Sequence, residues 1–234
     1  MVWVAGADGC KRGWFRASRE TGSGELRFHV FREASELLRA APSPRVLGLD
    51  IPIGLPKSGA RSCDLEARAV LGARKSSVFP APLRSALRAG TREEASRITE
   101  LCDGRRVSTQ GFALYEKILE VDTLLVRSGE ARARIREVHP EVCFWAWNAC
   151  EPMRAAKKTP AGIRQRRALV EAWLGAGVLA RARAEHPRRD VADDDILDAI
   201  AALWTATRVV EGRARTLPPV PPVDATGLRM EIVY

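Results

Sequence analysis

Carboxylates follow apolar, strand-like runs at two separate places in this sequence. Asp8 and Asp50 each come at the end of such a run, where a charge is costly to desolvate unless something positive lies against it. A third acidic group, residues 193–198, opens the most regular amphipathic segment, with Asp195 and Asp198 three residues apart. Hard divalent cations take oxygen ligands, so acids on separate elements predict a metal site made of Asp8, Asp50, Asp195 and Asp198.

Each acid also has a simpler structural interpretation. Asp-Gly is a common turn dipeptide, so Asp8 alone fits a turn. Acids in a first helical turn are stabilised by the helix dipole, and one of the residues 193–195 is expected to act only as a cap. Asp50 and Asp198 fit these interpretations less well, because apolar residues flank both. Glu137 ends another apolar segment and is either a fourth ligand, a water-orienting base or a charge on an edge strand.

The composition is typical of a globular protein that buries one core. The chain has 234 residues, 46% hydrophobic and 29% charged, which predicts a single domain over residues 1–234. No segment approaches the roughly 18 apolar residues of a membrane span, and the first residues lack the basic region of a secretory signal. Five cysteines with no Cys-x-x-Cys spacing argue against a zinc site or a disulfide framework. We therefore expect a cytoplasmic protein with no membrane partner.

The net charge of +9 favours a polyanionic partner such as nucleic acid. The basic residues are nearly all Arg, however, and the chain is rich in Ala. That bias is also typical of a GC-rich genome, so the charge by itself raises the expectation of nucleic-acid binding only modestly.

Hydrophobic periodicity predicts the elements that would position the acids. Strands are expected at 2–8, 14–18 and 26–31, followed by a helix at 33–41 and a fourth strand at 45–51. The later elements follow the same rules: a mainly helical insertion at about 57–130 with a long helix at 110–126, a strand at 134–138, helices at 160–175 and 194–211, and a terminal strand at 228–234. This order indicates an α/β fold.

The order β-β-β-α-β, with acids on the first and fourth strands and Asp-x-x-Asp-Ala on the last helix, resembles the ribonuclease H-like fold. Residues 195–201 are similar to the final-helix motif of RuvC-type Holliday-junction resolvases. A closer resemblance is to an uncharacterised family described as predicted ribonuclease H-like nucleases, in residues 6–11, 50–56, 76–82, 137–141 and 227–231. The resemblance covers essentially the whole chain. It implies a mixed five-stranded sheet flanked by helices, with the helical insertion after the fourth strand.

The resemblance also implies that two Mg²⁺ or Mn²⁺ ions hydrolyse phosphodiester bonds. Asp8 would bridge both ions, Asp50 would hold one, and Asp195, helped by Asp198, would hold the other. The RuvC-type pattern usually has Glu on the fourth strand, so Glu137 is the alternative to the shorter Asp50. Basic residues would contact phosphates of DNA or RNA, although each also fits a solvated surface. Those expected to bind substrate are Lys11, Arg61, Arg74, Lys75 and Lys158, with Lys157 beside the last of them.

Two other functions fit the same residues. A phosphotransferase or ATPase on this core would use the Asp-Gly turn at residues 8–13 to cradle phosphate, but such proteins normally carry two such domains, and this chain is short for that. A non-catalytic nucleic-acid-binding module would keep the fold without the chemistry. By analogy with resolvases, the protein is expected to form a homodimer.

Overall fold

Five strands form the central sheet of the computed structural model, which describes residues 1–234. They are β1 (Trp3–Cys10), β2 (Gly13–Glu20), β3 (Leu26–Phe31), β4 (Val46–Leu49) and β5 (Ile135–Glu137). The spatial order is β3-β2-β1-β4-β5, with β1 antiparallel to β2, β2 antiparallel to β3, and β4 parallel to both β1 and β5. The predicted α/β fold with a mixed five-stranded sheet is confirmed.

Helices flank the sheet and fill most of the chain between β4 and β5. They are α1 (Glu36–Arg39), α2 (Ser62–Leu71), α3 (Arg92–Asp103), α4 (Thr109–Phe112), α5 (Tyr115–Arg127), α6 (Gly129–Arg134), α7 (Pro140–Trp147), α8 (Pro160–Leu174), α9 (Val178–Glu185) and α10 (Asp193–Val210). Short 3-10 segments lie at Gly72–Ser77 and Arg84–Ala86, and β6 (Thr216–Leu217) pairs with β7 (Ile232–Val233). None of these helices combines the length and the apolar character needed to cross a membrane.

Three elements differ from the sequence prediction. The helix expected at 33–41 is reduced to the single turn of α1. The long helix expected at 110–126 is divided into α4 and α5. The strand expected at 228–234 is reduced to β7, because the preceding residues fold back on themselves. In that turn Asp224 N–H donates to Leu228 O at 2.8 Å and Met230 N–H donates to Pro222 O at 2.8 Å. These local bonds occupy backbone groups that a longer strand would use.

The two faces of the sheet pack against different helices. On β1 and β4, Ala5 and Leu47 contact the core on the side of α5, whereas Val4 and Val46 contact the core on the side of α10. Side chains alternate between the faces of a strand, so even-numbered residues of these two strands share the α10 face. Asp8 and Asp50 are therefore expected on that face, at the ends of their strands.

Two glycines allow α10 to lie directly on the sheet. Gly6 and Gly48 are partners in the parallel pairing of β1 with β4. A Cβ added at Gly6 would lie 2.0 Å from Leu203 N, and one added at Gly48 would lie 2.6 Å from Ala202 O. Only residues without a side chain permit this backbone-to-backbone approach. The close contact brings the first turns of α10, including Asp198, to the ends of β1 and β4.

Candidate metal centre

Three carboxylates from three elements converge at the carboxyl ends of β1 and β4. Asp8 lies near the end of β1, Asp50 directly follows β4, and Asp198 lies on α10. One oxygen from each of them can be chosen so that all three atoms are within 4.8 Å of one another. The N–H of Asp50 donates to Ala7 O at 3.1 Å, which fixes the position of Asp50 relative to β1. Oxygen donors in such a group are the ligands that a hard divalent cation takes.

Asp198 carries an unsatisfied oxygen. The residue is 3% exposed, and its Oδ2 accepts a hydrogen bond from Lys157 Nζ. Its Oδ1 is buried and has no hydrogen-bond partner. Leaving a buried charged oxygen unpaired costs free energy, and a bound cation would remove that cost. The donor set and this oxygen both fit a divalent metal ion.

The pKa of each of the three acids is raised, chiefly by burial. Burial, and then the charges of Asp50 and Asp198, hold the pKa of Asp8 well above its usual range. Burial and the charge of Asp198 do the same to the pKa of Asp50. Burial raises the pKa of Asp198 to about 6, although the Lys157 ammonium acts in the opposite direction. Like charges that share one buried place disfavour ionisation, and a cation among them would reverse the effect.

The carboxylates line a cleft at the carboxyl ends of β1 and β4, with a volume of about 480 Å³. Phe79, His139, Lys117 and Lys158 also line it. Phe79 is 48% exposed, so one apolar ring faces solvent in a cleft that is otherwise rich in charge. A cleft lined by acids together with basic and aromatic groups suits a phosphate-bearing ligand.

Glu137 lines the same cleft, but its oxygens are already occupied. Arg61 donates to both of its oxygens at 2.7 Å, and the N–H of Ile53 donates to Oε2 at 2.5 Å. Arg61 also pairs with Asp64 at 2.6 Å. Burial alone would lower the pKa of Arg61, but Glu137 and Asp64 raise it, so the guanidinium stays charged. Glu137 thus anchors the loop after Asp50 and presents no free oxygen.

Asp195 lies outside the group of three carboxylates. Its Oδ2 accepts the N–H of Ala192 at 2.8 Å, which satisfies one of the free N–H groups that precede a helix. Its charge still contributes to the raised pKa of Asp8, after burial and the charges of Asp50 and Asp198. The residue of α10 that shares the cleft with Asp198 is Asp194, one helical turn earlier.

The basic residues expected to bind substrate occupy different environments. Arg61 is 3% exposed and fully engaged in its ion pairs, so it has no donor left for a phosphate. Lys158 is exposed at the cleft. Lys11 is exposed in the turn between β1 and β2, outside the residues that line the cleft, and Lys75 is exposed in the segment Gly72–Ser77. Arg74 is half-buried in that same segment.

Sequence reasoning overlooked one residue that organises the loop after Asp50. Asp224 accepts the N–H of Leu55 at 2.9 Å and the N–H of Leu228 at 3.0 Å, and it pairs with Arg84. Its contacts therefore join the C-terminal segment to the loop that carries Asp50. The available signal was an Asp followed three residues later by Gly227, a pattern typical of a turn.

The comparison with known proteins bears on this same set of residues. Residues 6–223 match the family described as "Protein of unknown function (DUF429)", a span that contains Asp8, Asp50, Glu137 and Asp198. No curated protein and no solved structure matches the chain. Because the match covers most of the sequence, the chain belongs to the DUF429 family of proteins of unknown function.

Proposed function

We propose that this protein is a divalent-metal-dependent nuclease with a ribonuclease H-like fold. The observation that carries the proposal is the convergence of Asp8, Asp50 and Asp198 within 4.8 Å, with one buried oxygen of Asp198 unpaired. These three residues would hold Mg²⁺ or Mn²⁺. The sheet order, with three antiparallel strands followed by two parallel ones, supports the comparison with ribonuclease H-like proteins.

The reaction we propose is hydrolysis of a phosphodiester bond. The hydroxyl of water adds to phosphorus, the bond from phosphorus to the leaving oxygen breaks, and a proton goes to that oxygen, so no oxidant or reductant is needed. A bound divalent cation would supply Lewis acidity toward the phosphate and the water. The residues of the chain hold the site in shape: the Arg61–Glu137 pair fixes the loop after Asp50 through Ile53.

The walls of the cleft support a nucleic-acid substrate. Lys158 is exposed among the residues that line the cleft, where an ammonium group would attract phosphates without regard to base sequence. Phe79 offers a half-exposed ring on which a base could stack. The net charge of +9 extends this attraction beyond the cleft.

The test is a cleavage assay with matched variants. Wild-type protein, Asp8→Asn and Asp50→Asn are incubated with branched DNA, single-stranded DNA and RNA–DNA hybrids, in Mg²⁺, in Mn²⁺ and in EDTA. We expect metal-dependent cleavage of at least one substrate by the wild type and background rates for both variants. Glu116→Gln, which alters an exposed acid on α5 that does not line the cleft, should cleave like the wild type.

Each other outcome points to a different function. Cleavage that survives Asp8→Asn contradicts the proposed site. Tight binding of nucleic acid with no cleavage favours the non-catalytic module, and hydrolysis of ATP that depends on Asp8 favours the phosphotransferase.

A further inference from the structure

We propose that Lys157 is a built-in second cation of this site. On this proposal the three carboxylates hold one divalent ion, and the Lys157 ammonium supplies the positive charge that a second ion would otherwise bring. The inference rests on the proposed function, because it takes the carboxylates to be metal ligands. It departs from the two-ion arrangement that the sequence resemblance implies.

The position of Lys157 carries the inference. Its Nζ donates to Asp198 Oδ2 and lies 3.8 Å from Asp194 Oδ2. The Lys157 side chain is 31% exposed, whereas that of Asp198 is 4% exposed, so the lysine reaches from the rim of the cleft to a buried acid. Removing the lysine would leave a buried carboxylate without its counter-charge, which is strongly unfavourable unless another cation replaces it.

The backbone around Lys157 is fixed by local bonds. The N–H and the hydroxyl of Thr159 both donate to Ala156 O, at 3.0 and 2.8 Å. A Cβ added at Gly162 would lie 2.0 Å from Ala156 O, so the first turn of α8 rests directly on this carbonyl. The residue next to Ala156 is therefore held in place before any ligand binds. The neighbouring Lys158 is exposed and makes no ion pair, although it belongs to the same loop.

The number of carboxylates that are free to bind metal favours one divalent ion over two. Glu137 is bound to Arg61 through both oxygens, and Asp195 caps α10. With Asp194 beside Lys157, the three acids that converge make a group of four negative charges. One divalent ion and one ammonium supply three positive charges, whereas two divalent ions and the ammonium would supply five. A second divalent ion beside Lys157 would leave excess positive charge in a buried site, and uncompensated buried charge is strongly unfavourable.

The experiment counts ions and does not depend on activity. Metal-free protein is titrated with Mn²⁺, and the bound ion is followed by electron paramagnetic resonance, which also reports coupling between two nearby Mn²⁺ ions. The variants are Lys157→Met, Lys157→Arg and the control Lys57→Met, at an exposed lysine that does not line the cleft, with circular dichroism to verify that each is folded.

We expect the wild type to bind one Mn²⁺ per chain with an uncoupled spectrum. In Lys157→Met the dissociation constant should fall about tenfold or more, because a positive charge a few ångströms from the ion is removed. Lys157→Arg keeps the charge and Lys57→Met changes a lysine outside the cleft, so both should bind one ion with nearly wild-type affinity.

Three results would overturn the inference about Lys157, and one of them would also overturn the proposed metal site. Two coupled Mn²⁺ ions in the wild type would contradict the role of Lys157 but leave the nuclease proposal standing. Unchanged or weaker Mn²⁺ binding by folded Lys157→Met would also contradict the role of Lys157 and leave the nuclease proposal standing. No Mn²⁺ binding by the wild type would overturn both the inference and the proposed metal site.

Discussion

Gly6 of β1 and Gly48 of β4 lie side by side, and the backbone of α10 crosses directly over both. Each glycine precedes by two residues a carboxylate of the candidate site, Asp8 or Asp50, on the same face of its strand. The absence of two side chains thus sets how closely Asp198 approaches the other two acids. The spacing of the three carboxylates therefore depends on a packing contact between α10 and the sheet.

We predict that Gly6→Ala both destabilises the protein and weakens metal binding. The added Cβ would lie 2.2 Å from Ala199 O as well as against Leu203 N, so α10 must move away. Overpacking of this kind costs about 1–3 kcal/mol or more in the free energy of unfolding. Urea denaturation and Mn²⁺ titration measure the two effects. Gly129→Ala is the control, since nothing lies within 4 Å of a Cβ there, and equal stability of the two variants would contradict the prediction.

We predict that metal-free protein loses stability as the pH rises from about 4 to about 6. The pKa of Asp198 rises from its ordinary value of 3.8 to about 6 in the folded state, chiefly through burial. A raised carboxyl pKa stabilises the fold below the unfolded pKa, and that contribution is lost as the pH passes the folded pKa. For Asp198 the loss is about 3 kcal/mol, at about 1.4 kcal/mol for each pKa unit. Urea denaturation in EDTA over this range measures it.

The raised carboxyl pKa values also predict how metal binding depends on pH. Mg²⁺ or Mn²⁺ should raise the melting temperature far more at pH 8 than at pH 4, because the cation binds the ionised acids. Asp8→Asn, which removes one of the repelling charges, should be more stable than the wild type in EDTA at pH 8 and should gain little from metal. Equal metal stabilisation of the variant and the wild type would show that the ion binds elsewhere.

We predict that Arg61→Met destabilises the protein by about 3–5 kcal/mol, because it leaves two buried carboxylates without a partner. Those carboxylates are Glu137 and Asp64, both bonded to the guanidinium. Urea denaturation measures the loss. Lys75→Met, at an exposed residue, should change stability by about 0.5 kcal/mol or less. A folded, fully stable Arg61→Met that binds nucleic acid poorly would instead favour direct contact between Arg61 and phosphate.

We predict that Asp224→Ala loosens the loop after Asp50. The variant leaves the N–H groups of Leu55 and Leu228 without their acceptor, at a cost of about 1–3 kcal/mol for each buried group. Amide hydrogen exchange of Leu55 should become faster, and Mn²⁺ should bind more weakly. Asp122→Ala removes only the other partner of Arg84 and should leave the Leu55 amide protected. Equal protection of Leu55 in both variants would contradict this role for Asp224.

The sheet could be predicted from sequence because its signals are local. The three antiparallel strands are joined by short turns, and β4 is a continuous apolar run that ends at Asp50. The stripe of apolar residues also located α10. Patterns confined to a few neighbouring residues are the ones that periodicity detects.

The side chains of the site were harder to assign because their partners are distant in sequence. Glu137 is occupied by Arg61, which lies far earlier in the chain, and no local pattern links the two. The choice among Asp194, Asp195 and Asp198 depends on the rotation of α10 about its axis. That rotation is fixed by the contact of Ala199 with Gly6, which only the packed structure reveals.

The bonds of Asp224 have a consequence for the order in which the site is built during synthesis. During translation Asp8 and Asp50 are synthesised early, and Asp198 and Asp224 are synthesised only after the long, mainly helical region that separates them from Asp50. A nascent chain therefore carries the strands and two acids while it lacks both the third acid and the contact that steadies the loop at Leu55. The three carboxylates of the candidate site can therefore converge only after α10 has been synthesised, and the loop at Leu55 gains its acceptor only after Asp224 has followed.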